Sequence, residues 1–159
     1  MTVRSIPAAR AGLLVCAIGA LMAGLAAQSA THKVDPEWAR LPPGTTWGGS
    51  TSWIAADGKG QVLVLVRTAP YFRSFARDGA FIKAWGPDDG FFESAHSVTI
   101  DPQGFLWVTD SAAHVVHKIG PDGRPVMTLG KKGVAGDNAS RDSFNQPNHV
   151  AIAPGGDIY

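Results

Sequence analysis

Two stretches of this chain repeat each other at a constant offset of 44 residues, and what they repeat is built from strand and turn signals. Asp57, Gly60, Val62, Val64, Asp78-Gly79 and Gly86 recur as Asp101, Gly104, Leu106, Val108, Asp122-Gly123 and Gly130. A third copy opens at Val150-Ala151-Ile152, where Pro154 and Gly156 answer Pro102 and Gly104 across an offset of 52. A unit of this size made of strands and turns cannot bury its apolar faces alone. Stacked radially, such units form the four-stranded blades of a β-propeller. The fold class expected is therefore all-β, with blades at 51–93 and 94–146 and the start of a third at 147–159. About two and a half blades fall short of the roughly four to eight that close a ring, so the sequence reads as an amino-terminal fragment.

The first thirty residues belong to another regime. Arg4 and Arg10 precede an uncharged run, 11–31, which contains Leu13-Leu14-Val15 and many small residues. A basic start, an apolar middle and small residues at the end describe a signal-peptide helix over 1–29, with cleavage after Ala26 or Ser29. An uncleaved membrane anchor is the alternative, against which Gly12, Gly19 and Gly24 argue by diluting the apolarity. The signal reading implies a secreted or periplasmic protein with no membrane contact once the leader is removed. The one cysteine, Cys16, falls inside it. The remainder could form no disulfide and would depend on packing or bound metal for stability.

Net charge is +1, and the 14 Lys and Arg residues are scattered. Without a basic stripe there is no electrostatic footprint for nucleic acid, so that partner class is set aside.

Residues 30–50 carry Pro36, Pro42-Pro43-Gly44 and Gly48-Gly49 too densely for a regular element and read as an extended lead-in. Beyond them the pattern predicts strands at 53–56, 61–67, 72–75 and 81–85, then 96–100, 105–109, 115–119 and 125–129, with Asp-Gly as the hairpin signal. The run Val62-Leu63-Val64-Leu65-Val66 is apolar on both faces, as a strand sandwiched between neighbouring sheets should be. The residues added between the second and third copies fall in 131–142, rich in Gly, Asp, Asn and Ser, which reads either as a substrate rim or as a solvated linker. Asn138-Ala139-Ser140 fits the glycosylation sequon.

No nucleophile elbow, Cys-x-x-Cys pair or His-Glu-x-x-His helix is present in the sequence. Chemistry must come from polar residues at equivalent places in the repeat. His96 opens the first strand of the second unit, the strand that lines the channel of a propeller. There it is either one ligand of an axial ion or an ordinary hydrogen-bonded histidine. Arg67 ends the long apolar strand of the first unit and either reaches into the channel to hold a carboxylate or snorkels to the surface. Asp110 is expected to cap a turn through backbone amides. His114 and His117, placed three apart on one strand, would point to opposite faces and share no metal. Trp85 and Trp107 read as packing between units.

The segment Ala95-His96-Ser97-Val98-Thr99-Ile100-Asp101, with Gly104, Trp107-Val108-Thr109-Asp110, Ala112, His114, Val116 and Lys118, resembles the core of the peptidyl-α-hydroxyglycine α-amidating lyases. Phe144-Asn145-Gln146-Pro147 ahead of Val150 resembles them too, and the NHL-repeat propellers to which they belong. The resemblance runs from about Trp53 to the end. It implies a six-bladed propeller, monomeric when full length, that holds zinc on three channel histidines and a structural calcium. By position it gives His96 a zinc-ligand role and Arg67 a catalytic one, while Ile54 and Val98 would bind calcium through main-chain carbonyls. The other zinc histidines and a catalytic tyrosine would lie beyond Tyr159. The implied activity splits the C–N bond of a peptidyl-α-hydroxyglycine, giving a peptide amide and glyoxylate, so the partner is a small-molecule or peptide substrate. A secreted NHL-repeat propeller that binds a protein or small ligand without catalysis is the reading from a different class.

Overall fold

The computed structural model describes residues 32–159; the expected signal segment and Cys16 lie outside the described residues. One compact unit runs from Asp35 to Tyr159. Its eight strands are β1 (Thr51–Ala56), β2 (Val62–Val66), β3 (Phe72–Phe75), β4 (Phe81–Trp85), β5 (Ala95–Ile100), β6 (Leu106–Asp110), β7 (Val115–Ile119) and β8 (Pro125–Leu129). They form two four-stranded antiparallel sheets, each in simple sequence order, β1 to β4 and β5 to β8.

The turns explain the repeat. At the end of β1 the Asp57 carboxylate accepts the amides of Lys59 (2.7 Å) and Gln61 (2.9 Å). At the end of β5 the Asp101 carboxylate accepts those of Gln103 (3.0 Å) and Phe105 (2.8 Å). An aspartate that closes a turn on its own backbone fixes where each strand stops, and the hairpin register follows. The outer hairpins use Asp78-Gly79 and Asp122-Gly123 in the same way, each Asp accepting the amide two residues on at 3.1 Å. Gly79 is required twice over: its φ is +84°, and a Cβ there would sit 1.6 Å from the Trp38 carbonyl oxygen.

The sheets stack face to face. Leu63, Leu65 and Phe72 of the first meet Val98, Leu106, Val108 and Ile119 of the second, with Tyr71 and Phe92 sealing the edge of this shared core. The other face of the first sheet, Val64, Val66 and Phe75, is covered by Trp38, Ala39, Leu41 and Trp47. The segment ahead of β1 is thus irregular, as its prolines and glycines predict, and it also serves as packing. The far face of the second sheet presents Trp107, Val116 and Leu129 to Val150 and Ile152 of the third copy. There the third copy starts a hairpin, in which Ala151 and Tyr159 exchange backbone hydrogen bonds of 2.9 Å. The Thr99 hydroxyl donates to the Val150 carbonyl (2.6 Å) and ties that segment to β5.

One expectation is corrected. His114 is not on a strand with His117: β7 begins at Val115, and His114 sits in the preceding turn with φ +59°. The Asp110 carboxylate accepts the Ala113 amide (3.3 Å) and bends the chain before the strand can start.

Candidate functional site

β1 and β5 are the first strands of their sheets and lie at corresponding edges. Each carries a bulge at its start. In β1, Thr51 pairs with Val66 and Trp53 with Leu65, so Ser52 is the extra residue; in β5, Ala95 pairs with Asp110 and Ser97 with Thr109, so His96 is. A bulge inserts one residue into a ladder and re-aims its side chain, and such insertions recur beside functional sites.

The bulge delivers His96 to the end of the strands where several elements meet. Its ring lies 6.4 Å from that of Trp53, and Trp53 in turn stacks on His149 of the third copy (5.1 Å, 30° between planes). Three successive units therefore bring Trp53, His96 and His149 to one place. The His96 Nδ1 is buried and has no hydrogen-bond partner. A buried imidazole nitrogen left unpaired is costly unless something else occupies it.

Asp110 holds the neighbouring chain in position. Wholly buried at the end of β6, it accepts the amides of Glu93 and Ser94 (2.7 Å each) as well as that of Ala113. These bonds tie the connection from β4 to β5 against the start of β5. The expected turn cap is thus also a brace for the strand that carries His96.

Arg67 follows β2 and donates its backbone amide to the Ser50 carbonyl (3.0 Å), which puts it at the same end of the first sheet as Ser52. Its side chain is exposed, and among the described residues no ion pair or hydrogen bond joins it to His96. Ile54 and Val98 occupy equivalent steps, paired with Val64 and Val108, on the two first strands. Their side chains differ sharply, since Ile54 is 63 % exposed and Val98 only 1 %. The Ile54 side chain opens into a groove of about 700 Å³ that Trp38, Trp47, Ser52, Trp53 and Val64 help to line.

The inserted loop leaves the end of β8 on this side of the second sheet. Near its start Lys132 reaches Glu93 (3.3 Å), and four residues past its end the Gln146 amide donates to His114 Nδ1 (3.1 Å). His114 and Gln146 are the two non-glycine residues with positive φ among those described, so the left-handed turns hold each other. Beneath it, His117 packs between Phe91 and Phe92 (4.7 and 5.5 Å) with its Nδ1 2.9 Å from the Thr128 hydroxyl. Burial lowers its pKa, the Asp110 charge opposes that shift and Lys132 adds to it, and the imidazole stays below its ordinary value.

Zinc chemistry can be tested on these residues. The unpaired Nδ1 of His96 suits one ligand of a zinc ion, which in catalytic sites takes three protein donors. Among the described residues no group of three His, Cys, Asp or Glu side chains is placed to hold a metal. One ligand fits; the described residues do not complete the set.

Sequence reasoning reached His96 and Arg67 and missed Ser52, Trp53 and His149. The offset of 44 that relates Asp57 to Asp101 also carries Ser52 onto His96, a signal that was legible. The approach of His149 to Trp53 depends on how the third copy docks, which no local pattern encodes.

No family model matches the chain. Among curated proteins it is similar to peptidyl-alpha-hydroxyglycine alpha-amidating lyase 1 of Drosophila melanogaster, 38% identical over 78 residues, covering 47% of this chain and 14% of that protein. A probable lyase of the same name from Caenorhabditis elegans is 42% identical over 71 residues, 44% of this chain and 20% of the relative. NHL repeat-containing protein 3 of Homo sapiens is 29% identical over 139 residues, 80% of this chain and 38% of the relative. The chain thus spans a minor part of the length of these proteins. Among solved structures, a catalytically inactive virginiamycin B lyase from Staphylococcus aureus with quinupristin superposes with a TM-score of 0.50 at 23% identity, over 72% of this chain and 35% of that one. At that identity the likeness concerns the fold alone. By sequence the chain is amidating-lyase-like and NHL-repeat-like, and by fold it is an all-β protein of β-propeller-like construction.

Proposed function

We propose that the intact protein is an exported, metal-dependent lyase of the amidating type, built as a six-bladed propeller, that cleaves a peptidyl-α-hydroxyglycine into a peptide amide and glyoxylate. The observation that carries this reading is the buried, unpaired Nδ1 of His96, presented by a bulge where three units converge. In the reaction the hydroxyl on the α-carbon loses its proton and its oxygen becomes a carbonyl. The C–N bond breaks, and the nitrogen leaves with a proton as the amide. Zinc bound with His96 as one ligand, the others coming from outside the described residues, would supply a Lewis acid that makes the hydroxyl easier to deprotonate. His96 would orient the site, and Arg67 would hold an anionic group of the substrate with its fixed fork. Trp53 and His149 would wall the site and limit water. Calcium, held on the Ile54 and Val98 carbonyls, would join neighbouring first strands.

A non-catalytic NHL-type propeller is the second reading. The 29% identity to NHL repeat-containing protein 3, over a longer stretch than the lyase matches, supports it. The test is glyoxylate release from a hydroxyglycine-ended peptide by the intact protein, together with its zinc content. The lyase reading expects both. His96→Ala should then lose zinc and lower kcat/KM at least about a hundredfold. A wild-type protein that holds no zinc and releases no glyoxylate would hand the assignment to the scaffold.

A further inference from the structure

The geometry points to Ser52 as a ligand-contacting residue of the same site, the first unit's counterpart of His96; the inference rests on the lyase reading and extends it. Three observations coincide. Ser52 and His96 are 44 residues apart, the repeat offset. Each is the extra residue of the bulge in its first strand. Among the described residues, the Ser52 hydroxyl and the His96 Nδ1 are the two buried side-chain polar atoms without a hydrogen-bond partner.

Other buried hydroxyls among the described residues are satisfied. The Ser97 and Thr109 hydroxyls share a bond of 2.9 Å, Ser74 accepts from the Trp85 indole (3.1 Å), and Ser111 donates to the Ser94 carbonyl (3.4 Å). The chain can partner a buried serine, and at the bulge it does not. An unmade hydrogen bond carries the full desolvation cost of the group, so its persistence at two equivalent positions marks a place where a bound molecule supplies the partner.

The chemistry of that molecule follows from the groups around it. A hydroxyl both donates and accepts, while Arg67, whose amide is bonded to Ser50, adds a cation at the same end. The pair suits a small carboxylate with an oxygen function on the adjacent carbon, Arg67 matching the carboxylate by charge and the Ser52 hydroxyl matching that oxygen by hydrogen bonding.

The experiment uses the intact protein as wild type, Ser52→Ala, Ser52→Thr and Ser97→Ala. Thermal midpoints are measured without ligand, glyoxylate affinity by calorimetry, and KM and kcat with a hydroxyglycine-ended peptide. Ser52→Ala removes an unsatisfied hydroxyl and should raise the midpoint by about 2–4 °C, whereas Ser97→Ala breaks a made bond and should lower it. Glyoxylate affinity should weaken about tenfold in Ser52→Ala, with KM rising by a similar factor, and recover in Ser52→Thr. A lowered midpoint in Ser52→Ala, or unchanged affinity for glyoxylate in an active protein, overturns the assignment. If the wild type neither binds glyoxylate nor cleaves the peptide, the lyase reading falls separately. The midpoint then decides for Ser52: a rise sustains it as a ligand position, and a fall overturns it.

Discussion

His117 shows how a side chain without catalytic duty still sets the conditions under which the site survives. Buried between two phenylalanines, it stays neutral in the folded protein to a lower pH than in the unfolded chain, whose ordinary value is 6.5. Below 6.5 the unfolded state therefore binds the proton first, and stability declines as pH falls from there toward the depressed folded value. A urea midpoint lower at about pH 5.5 than at about pH 7.5, with the difference reduced in His117→Gln, is the expected outcome. Equal midpoints for the wild type would refute it. Histidines also show what the sequence could and could not tell. His96 was legible because it opens a repeat. His114 was misplaced because its turn is imposed by Asp110 and Gln146, residues on other elements.

At the scale of elements, the turn aspartates carry the hairpins, and the two copies are unequal. Asp57 is a turn former with its two amides and little else. Asp101 is 6 % exposed and accepts the Trp107 indole (3.1 Å) and an ion pair from Lys118 (3.5 Å), whose ammonium lies over the Phe105 and Trp107 rings at 4.3 and 4.8 Å. Burial pushes its carboxyl upward, but the indole, the Phe105 amide, the Lys118 charge and the Gln103 amide together hold it below 3.8. Its contribution is present above the unfolded value and is lost as pH falls through the folded one. Asp101→Ala should cost about 3 kcal/mol, because it strands a largely buried ammonium, and Asp57→Ala clearly less; urea denaturation of the two variants checks the order. All eight strands could be read from the sequence to within about two residues, since alternation and Asp-Gly turns are local. The bulges could not, because a ladder irregularity appears only when two strands are laid side by side.

For the molecule as a whole, the sheets share one core and should not unfold apart. Phe72 is fully buried where they meet, against Trp85 at 4.9 Å and Phe92 at 6.4 Å. Phe72→Ala should cost about 3–5 kcal/mol and bring far-ultraviolet circular dichroism and tryptophan fluorescence down in one coincident transition. Two separated transitions would mean that the sheets are independent. The stacking of repeats was legible from the period of 44, because units of this size must lean on their neighbours. Which residue would cover the remaining face of the first sheet was not: Trp38 and Trp47 come from a segment with no strand pattern, yet both rings lie within 6 Å of Phe75.

The irregular step in β1 and β5 also bears on how such a protein changes over generations. Because the inserted position stands outside the alternation that packs one layer on the next, serine in one copy and histidine in another leave the surrounding architecture alike. A duplicated copy can thus acquire a new reactive group through a change at a single codon, while everything that makes it foldable is inherited intact.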